Sequence, residues 1–196
     1  MVKNMNLSYT QYGKAKSGYA NRGMGLEDDI NLSNEYYKIN DIAYIYKKPT
    51  PIKLVNVDYK KGLIKEAYFK TPSTTDYNGI YKGKYIDFEA KETTSKTSFS
   101  LANIHPHQIK HLIDVKRHGA ISFLIVRFTN LGRTYILLTK DLDEFIKNNK
   151  RKSIPLNYFE KYGTIIKMKY SPRIDYLKEI NKIYFGGNKN DEEKNI

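Results

Sequence analysis

The sequence of 196 residues predicts an α/β fold, a mixed β-sheet flanked by helices from which a basic β-hairpin protrudes. Strand-like runs and segments with helical periodicity alternate along the chain, which favours this class. The segment "AISFLIVRF" is almost continuously apolar, as expected of a central strand. Two basic arms flank Lys60-Lys61-Gly62, and a Gly at that place is typical of a hairpin turn.

The beginning of the chain predicts an arm followed by a helix. Residues 1–20 lack periodicity and contain basic but no acidic residues, which predicts a flexible basic arm. An apolar stripe through Leu26, Ile30 and Tyr37 predicts a helix over residues 22–38.

The next segment predicts a strand and then the hairpin. Residues 42–46 have the composition of a short strand. Pro49 and Pro51 exclude a central strand directly after it, because proline cannot donate to a sheet ladder. The hairpin arms, residues 52–59 and 63–70, are charged and carry few core residues, so we expect the hairpin to extend away from the body.

The rest of the chain supplies the remaining sheet and its helices. Turn signals at residues 77–79 and 82–84 lead into a strand over residues 85–91. A helix follows, with Pro106 near its start and Gly119 at its end. The later predicted elements are the central strand at 120–128, a neighbouring strand at 134–139, a short helix at 140–150, a strand at 164–170, a helix at 172–185 and a polar tail at 186–196.

The formal net charge is +13 at pH 7, concentrated in residues 1–25, 47–70 and 147–173. Lys and Arg displace the counterions condensed on phosphates, so nucleic acid is the leading partner class, with an anionic membrane surface as the main alternative. No apolar run approaches the roughly 20 residues that span a bilayer, and we expect no membrane attachment. The chain contains no Cys, which excludes disulfides and thiolate metal sites and favours a cytoplasmic setting.

The segment "TTDYNGIYKGKYIDFEAKET", residues 74–93, carries the side chains best suited to catalysis. In a strand, Asp87, Glu89 and Lys91 share one face. If Asp76 converges with Glu89, the two carboxylates repel each other unless a cation lies between them, and Mg²⁺ prefers such oxygen ligands. Lys91 would then orient a water or stabilise charge on a phosphate. The alternative is a charged strand face that is merely solvated.

Two weaker patterns favour ordinary roles. His105, His107 and His111 suggest zinc, but no "HExxH" motif accompanies them, so contacts with a DNA backbone or the surface are favoured. Tyr81 and Tyr85 are candidates for stacking on unpaired bases, although packing within the protein is the more common use of such residues.

The segment "TTDYNGIYKGKYIDFEAKETTSKTSF" resembles the PD-(D/E)xK nuclease signature as it occurs in RecU-type Holliday junction resolvases. The segments "NRGMGLEDDIN", "KKPTPIKLVNV", "IKEAYFK", "HPHQIKH" and "YSPRIDYL" also resemble blocks of that family, in the same order. The resemblance implies a nuclease domain with a PD-(D/E)xK core over residues 21–185, in which the hairpin at about 47–70 is inserted. The arm at 1–20 and the tail at 186–196 would flank this domain.

The resemblance also implies roles for individual residues of the site. Asp76 and Glu89 would be metal ligands, the backbone carbonyl of Phe88 would complete the coordination, and Lys91 would be the catalytic lysine. Glu27 resembles the additional acid that these nucleases bring from the first helix.

Two further residues of the site are placed by the same resemblance. Gln108 lies where the family has a polar residue on the helix after the catalytic strand, and we expect it beside the stripe of Leu112 and Val115, reaching towards the metal. Asp87 is not part of the family triad, and it either supports the metal ligands or is solvated.

The hairpin resembles the stalk that enters the centre of a four-way junction in RecU-type proteins. The residues that would bind DNA are Lys53, Lys60, Lys61, Lys65 and Arg22. The turn is shorter than the family pattern and carries Lys in place of Arg. Lys keeps the positive charge but lacks the planar fork that binds phosphate bidentately, so this departure bears on the selectivity of the tip for junctions.

The function implied is a structure-specific DNA endonuclease that resolves Holliday junctions by paired symmetric nicks in recombination and repair, with Mg²⁺ or Mn²⁺ as cofactor. Two nicks in opposing strands require two active sites, so a homodimer is predicted. The resemblance further implies contact with the RecA recombinase. The alternatives are a non-catalytic junction-binding architectural protein and a less selective duplex nuclease of the same superfamily.

Overall fold

The computed structural model describes residues 25–49, 51–69 and 74–186. The predicted basic arm, Arg22 and the tail beyond residue 186 lie outside the described residues.

Helices and strands alternate along the described residues. The helices are α1 (Leu26–Ile39), α2 (Pro106–Arg117), α3 (Thr139–Asn148), α4 (Leu156–Tyr162) and α5 (Tyr176–Phe185). The strands are β1 (Ala43–Lys47), β2 (Ile52–Asp58), β3 (Leu63–Phe69), β4 (Tyr77–Tyr81), β5 (Lys84–Thr93), β6 (Ser98–Ser100), β7 (Ile121–Phe128), β8 (Arg133–Leu138), β9 (Ser153–Pro155) and β10 (Thr164–Ile166).

A six-stranded mixed sheet in the order β1-β4-β5-β7-β8-β10 forms the centre of the fold. Only β5 and β7 pair in parallel within this sheet of the described chain, and the other neighbours are antiparallel. Every residue of β7 is buried, which confirms the prediction of a central strand there.

Helices cover both faces of the sheet, each over its own apolar core. Phe88 and Phe123 stack with ring centroids 4.8 Å apart on the face that also packs against α1 and α5. Leu124 and Leu137 belong to a second core with α3 and α4. The α/β class with flanking helices is therefore confirmed.

Strands β2 and β3 form a separate antiparallel hairpin that turns at Gly62, whose φ of 63° is a left-handed conformation available to glycine. The described side chains of both strands are exposed or half-exposed. The hairpin prediction is confirmed, although its strands begin at Ile52, and Lys47 belongs to β1.

The predicted turn at residues 77–79 is wrong, because these residues begin β4. Gly79 is needed there for close approach rather than for turning. A Cβ on Gly79 would lie 2.1 Å from the carbonyl oxygen of Tyr44 on β1, so any larger residue would push the edge strand away. The turn signal at Lys82-Gly83 is confirmed by positive φ at both residues.

Other differences concern boundaries and short elements. Helix α1 begins at Leu26, because Gly25 is extended and the Leu26 amide donates 3.0 Å to Glu92 Oε1 on β5. The pattern did not predict β6, β9 or α4, which are too short to show a clear period. In the described part of the chain, no helix has the length and apolar composition that crossing a bilayer requires.

Candidate active site

The β4–β5 ladder brings Asp76 beside Glu89. Tyr77 lies opposite Phe88 at the end of that ladder, so the residue before Tyr77 meets the residue after Phe88. The Asp76 amide donates 3.1 Å to Glu89 Oε2, and the Ala90 amide donates 3.3 Å to Asp76 Oδ2. The two carboxylates thus lie close together, which is the condition that the sequence analysis set for a metal site.

Lys91 lies within reach of both carboxylates, as expected of a residue on the same strand face as Glu89. Its Nζ is 2.5 Å from Glu89 Oε1 and 3.9 Å from Asp76 Oδ2. Burial alone would lower the pKa of Lys91, but its hydrogen bond to Glu89 and the nearby negative charges outweigh burial and raise the pKa. The side chain is therefore an ammonium at neutral pH.

Glu89 is fully buried, and its environment opposes ionisation. Burial and the charge of Asp76 raise the pKa of Glu89 to about 7, although Lys91 acts in the opposite direction. One ammonium is thus too little positive charge to stabilise two adjacent carboxylates fully. A cation at this place would relieve both their repulsion and the cost of burial.

The donor set fits a hard divalent ion. Among the described residues, no three His, Cys, Asp or Glu side chains converge on one point, so a site built from three or more such side chains is not formed there. Mg²⁺ is ordinarily held by one or two carboxylates, with waters and substrate phosphates completing its shell. Asp76 and Glu89 could provide such a pair, and their roles as metal ligands, like that of the Phe88 carbonyl, stay predictions.

Gln108 contacts Glu89 from helix α2. Its Nε2 donates 2.7 Å to Glu89 Oε1, and its own Oε1 accepts from the His105 amide at 3.0 Å. The prediction that Gln108 lies beside the apolar stripe is wrong, since Gln108 and Leu112 are the two buried residues of α2. The polar side chain of Gln108 can be buried here because both the nitrogen and the oxygen of its amide are hydrogen-bonded.

Glu27 lies in the first turn of α1 and forms an ion pair with Lys47 on β1. Its side chain is half-exposed and lines a cavity of about 400 Å³ together with Gly25, Lys91 and Glu92. Glu27 thus lines the same cavity as Lys91, while its catalytic role stays a prediction.

Asp87 is fully buried, which rules out the alternative that it is solvated. It accepts hydrogen bonds from Lys48, Thr75 and Tyr85 and contacts His111. Sequence reasoning did not predict these partners. The alternation of charged residues along β5 indicated that Asp87 shares a face with Glu89, but it did not indicate which residues contact Asp87.

The described contacts of the His and Tyr candidates are with residues outside the triad. The rings of His105 and His107 stack with centroids 5.3 Å apart, whereas His111 points to Asp87. Tyr81 is buried, with its hydroxyl donating to Asn181, so the stacking role considered for it is wrong. Tyr85 is partly exposed.

The predicted DNA-binding lysines of the hairpin are all exposed. They are Lys53, Lys60, Lys61 and Lys65. Lys65 lies 3.5 Å from Asp58, and Asp58 also accepts from the Lys61 amide at the turn. Their role in binding DNA stays a prediction.

Comparison with known proteins identifies the family. The family model for RecU, recombination protein U, matches residues 21–182. A protein of Geobacillus sp. (strain WCH70) named Holliday junction resolvase RecU is 53% identical over 94% of this chain and 93% of its own length. A Pediococcus pentosaceus protein of the same name is 52% identical over 84% of this chain and 85% of its own length.

A solved structure of Archaeoglobus fulgidus Hjc, a Holliday junction resolvase, aligns with a TM-score of 0.39 and 13% identity over 67% of this chain and 86% of that chain. The family assignment does not need that alignment. The family model spans most of the sequence, and the relatives align with it over nearly their whole length. The chain belongs to the RecU family.

Proposed function

We propose that this protein is a metal-dependent, structure-specific DNA endonuclease that resolves Holliday junctions by paired symmetric nicks during homologous recombination and DNA repair. The observation that carries the proposal is that Asp76, just before β4, lies close to Glu89 and Lys91 on the neighbouring strand β5. It occurs in a chain about half identical to proteins named Holliday junction resolvase. The absence of Cys favours action in the cytoplasm.

Each side chain of the triad has its own task. Asp76 and Glu89 hold the divalent ion, Mg²⁺ or in its place Mn²⁺. When bound, such an ion polarises phosphate oxygens and lowers the pKa of a coordinated water. Lys91 remains cationic and stabilises the charge that develops on the scissile phosphate. Gln108 holds Glu89 Oε1 in place, so this carboxylate need not reorient during the reaction.

Two other groups complete the proposed site. The carbonyl of Phe88 is the remaining protein ligand that we assign to the ion. Glu27, held by Lys47 at the wall of the cavity that Lys91 also lines, is placed to face the substrate near the reacting phosphate.

DNA binding is assigned to the exposed cations of the hairpin. Positive charge lies along both strands and the turn, at Lys53, Lys60, Lys61 and Lys65. Arg22, outside the described residues, is assigned to DNA binding from the sequence alone. Their ammonium and guanidinium groups replace counterions along the phosphates of the junction arms.

A homodimer supplies the second active site that paired nicks require. The structure supports it through apolar side chains left uncovered in the single chain. Tyr44, Ile80 and Tyr85 lie opposite one another across β1, β4 and β5, and each is 40–59% exposed. The hairpin exposes a further set: Ile52, Leu54, Val55, Leu63, Ile64 and Tyr68. Soluble monomers rarely leave so much apolar surface uncovered, and we propose that a second copy covers it. Contact with the RecA recombinase stays a prediction.

A supercoiled plasmid that extrudes a cruciform tests the function and the dimer together. We expect linear product with Mg²⁺, because both opposing strands are cut within one complex, and intact plasmid with EDTA. A synthetic four-way junction and a linear duplex of matched sequence serve as companion substrates.

The outcomes separate the alternatives. Junction binding without cleavage would support the architectural protein. Equal cleavage of junction and linear duplex would support the less selective nuclease. Nicked circles that convert to linear form only after rebinding would contradict the dimer.

The hairpin tip is expected to determine preference for the junction. Replacing Lys60 and Lys61 together by Ala should weaken junction binding about tenfold, because two phosphate contacts are lost. The slope of the logarithm of the association constant against log salt should become less negative by about 1–2. Binding to linear duplex should change less. Fluorescence anisotropy at several salt concentrations measures both. Lys178→Ala with Lys182→Ala on α5 removes equal charge from another exposed surface and serves as the control, and an equal loss in this control would contradict the assignment.

A further inference from the structure

Asp87 is a buried carboxylate with hydrogen-bonding partners from several elements. Its side chain is fully buried, and Lys48 Nζ donates to Oδ2 at 2.8 Å. The Tyr85 hydroxyl donates to the same oxygen at 2.9 Å, and His111 Nε2 lies 3.0 Å from it. The Thr75 hydroxyl donates to the other oxygen, Oδ1.

Helix α2 and the segment before β4 contact both Asp87 and Glu89. Helix α2 directs Gln108 to Glu89 and His111 to Asp87. The segment before β4 directs the Asp76 amide to Glu89 and the adjacent Thr75 hydroxyl to Asp87. The arrangement follows from the periods of the two elements. Asp87 and Glu89 share a face of β5 because they are alternate strand residues, and Gln108 and His111 share a side of α2 because they are three residues apart.

Lys48 extends the network around the segment before β4. Its Nζ donates to the hydroxyls of Thr74 and Thr75 as well as to Asp87, and its amide donates 2.8 Å to the carbonyl of Asp76. The segment that carries Asp76 is thus fixed by a backbone hydrogen bond from Lys48 and by the side-chain hydrogen bonds of Thr75 and Lys48 to Asp87. Lys48 also offsets the charge of that buried carboxylate.

We propose that Asp87 is a positioning residue: by holding Thr75 and α2 against β5, it fixes Asp76 and Gln108 relative to Glu89 and so presets the divalent-ion site. The inference rests on the proposed function and adds to it a residue outside the triad. Asp87 contributes no ligand. It acts through Thr75 and His111, in the way that outer hydrogen-bond partners orient metal ligands.

The inference is tested by measuring metal binding to the DNA-free protein, with Thr75 as the main position for substitution. Thr75→Val removes the hydroxyl at nearly constant shape, and Thr75→Ser restores it. Calorimetric titration with MnCl₂ is expected to show affinity reduced about 10–100-fold in Thr75→Val and in Asp87→Asn, and regained in Thr75→Ser. Junction cleavage in the two weakened variants should need correspondingly more metal, and it should recover most of its rate at saturating metal.

A merely structural role would lower thermal stability without a selective change in metal affinity, so unfolding is followed on the same samples. Wild-type affinity in Thr75→Val would overturn the positioning role, as would a Thr75→Ser variant as weak as Thr75→Val. A wild-type protein that binds no metal would overturn both this inference and the proposed function, whereas wild-type binding with unchanged variants would overturn the inference alone.

Discussion

Replacing Lys91 by Ala is expected to lower the rate of junction cleavage by about 10²–10³-fold while junction binding stays within about threefold. The ammonium 2.5 Å from Glu89 Oε1 is the positive charge of the triad, and its raised pKa keeps it charged. Removal takes away an electrostatic contribution to the transition state, for which losses of this size are typical. It also leaves the repulsion between Asp76 and Glu89 without its local counter-charge.

Single-turnover cleavage with protein in excess measures the chemical step, and anisotropy in EDTA measures binding. Lys96→Ala, an exposed lysine just after β5, is the matched control and should behave as the wild type. Glu89→Gln should likewise cleave the junction much more slowly while still binding it. Loss of binding in parallel with loss of cleavage would contradict the assigned roles.

Replacing Asp29 by Ala is expected to lower the free energy of unfolding by about 3–5 kcal/mol. Asp29 is fully buried in α1 and lies 2.6 Å from Arg127 Nη2 and 3.1 Å from Arg173 Nε. Both guanidinium groups are largely buried, and without Asp29 they lose their principal counter-charge. The cost of leaving a buried charge unpaired exceeds what the intact pair contributes.

Asp28→Ala is the matched control in the same turn of α1. Its side chain is exposed, so the expected cost is only about 0.3–1 kcal/mol, from the lost interaction with the helix dipole. Urea unfolding of both variants in EDTA measures the difference. Equal destabilisation by the two substitutions would contradict a buried ion network around Asp29.

Structural features that depend on short stretches of sequence could be predicted. The shared face of Asp87, Glu89 and Lys91 follows from strand alternation. The hairpin follows from its Gly-containing turn, and β7 follows from its continuous apolar run. In each case the information lies within about ten residues of chain.

The features that were missed depend on distant parts of the chain. Arg127 and Arg173 lie 98 and 144 residues from Asp29, so adjacent acids that look alike in sequence differ completely in burial. Gly79 resembles a turn residue, and only its contact with β1 shows that it serves close strand packing. Gln108 occupies a buried place because Glu89 offers it a partner from another element.

The most direct test of the central claim is anomalous diffraction from crystals of this protein soaked in MnCl₂. We expect a peak within about 2–2.5 Å of a carboxylate oxygen of both Asp76 and Glu89. The peak should vanish in Asp76→Asn crystals of the same form. Occupied manganese sites elsewhere, with none between these two carboxylates, would contradict the claim that they form the catalytic metal site.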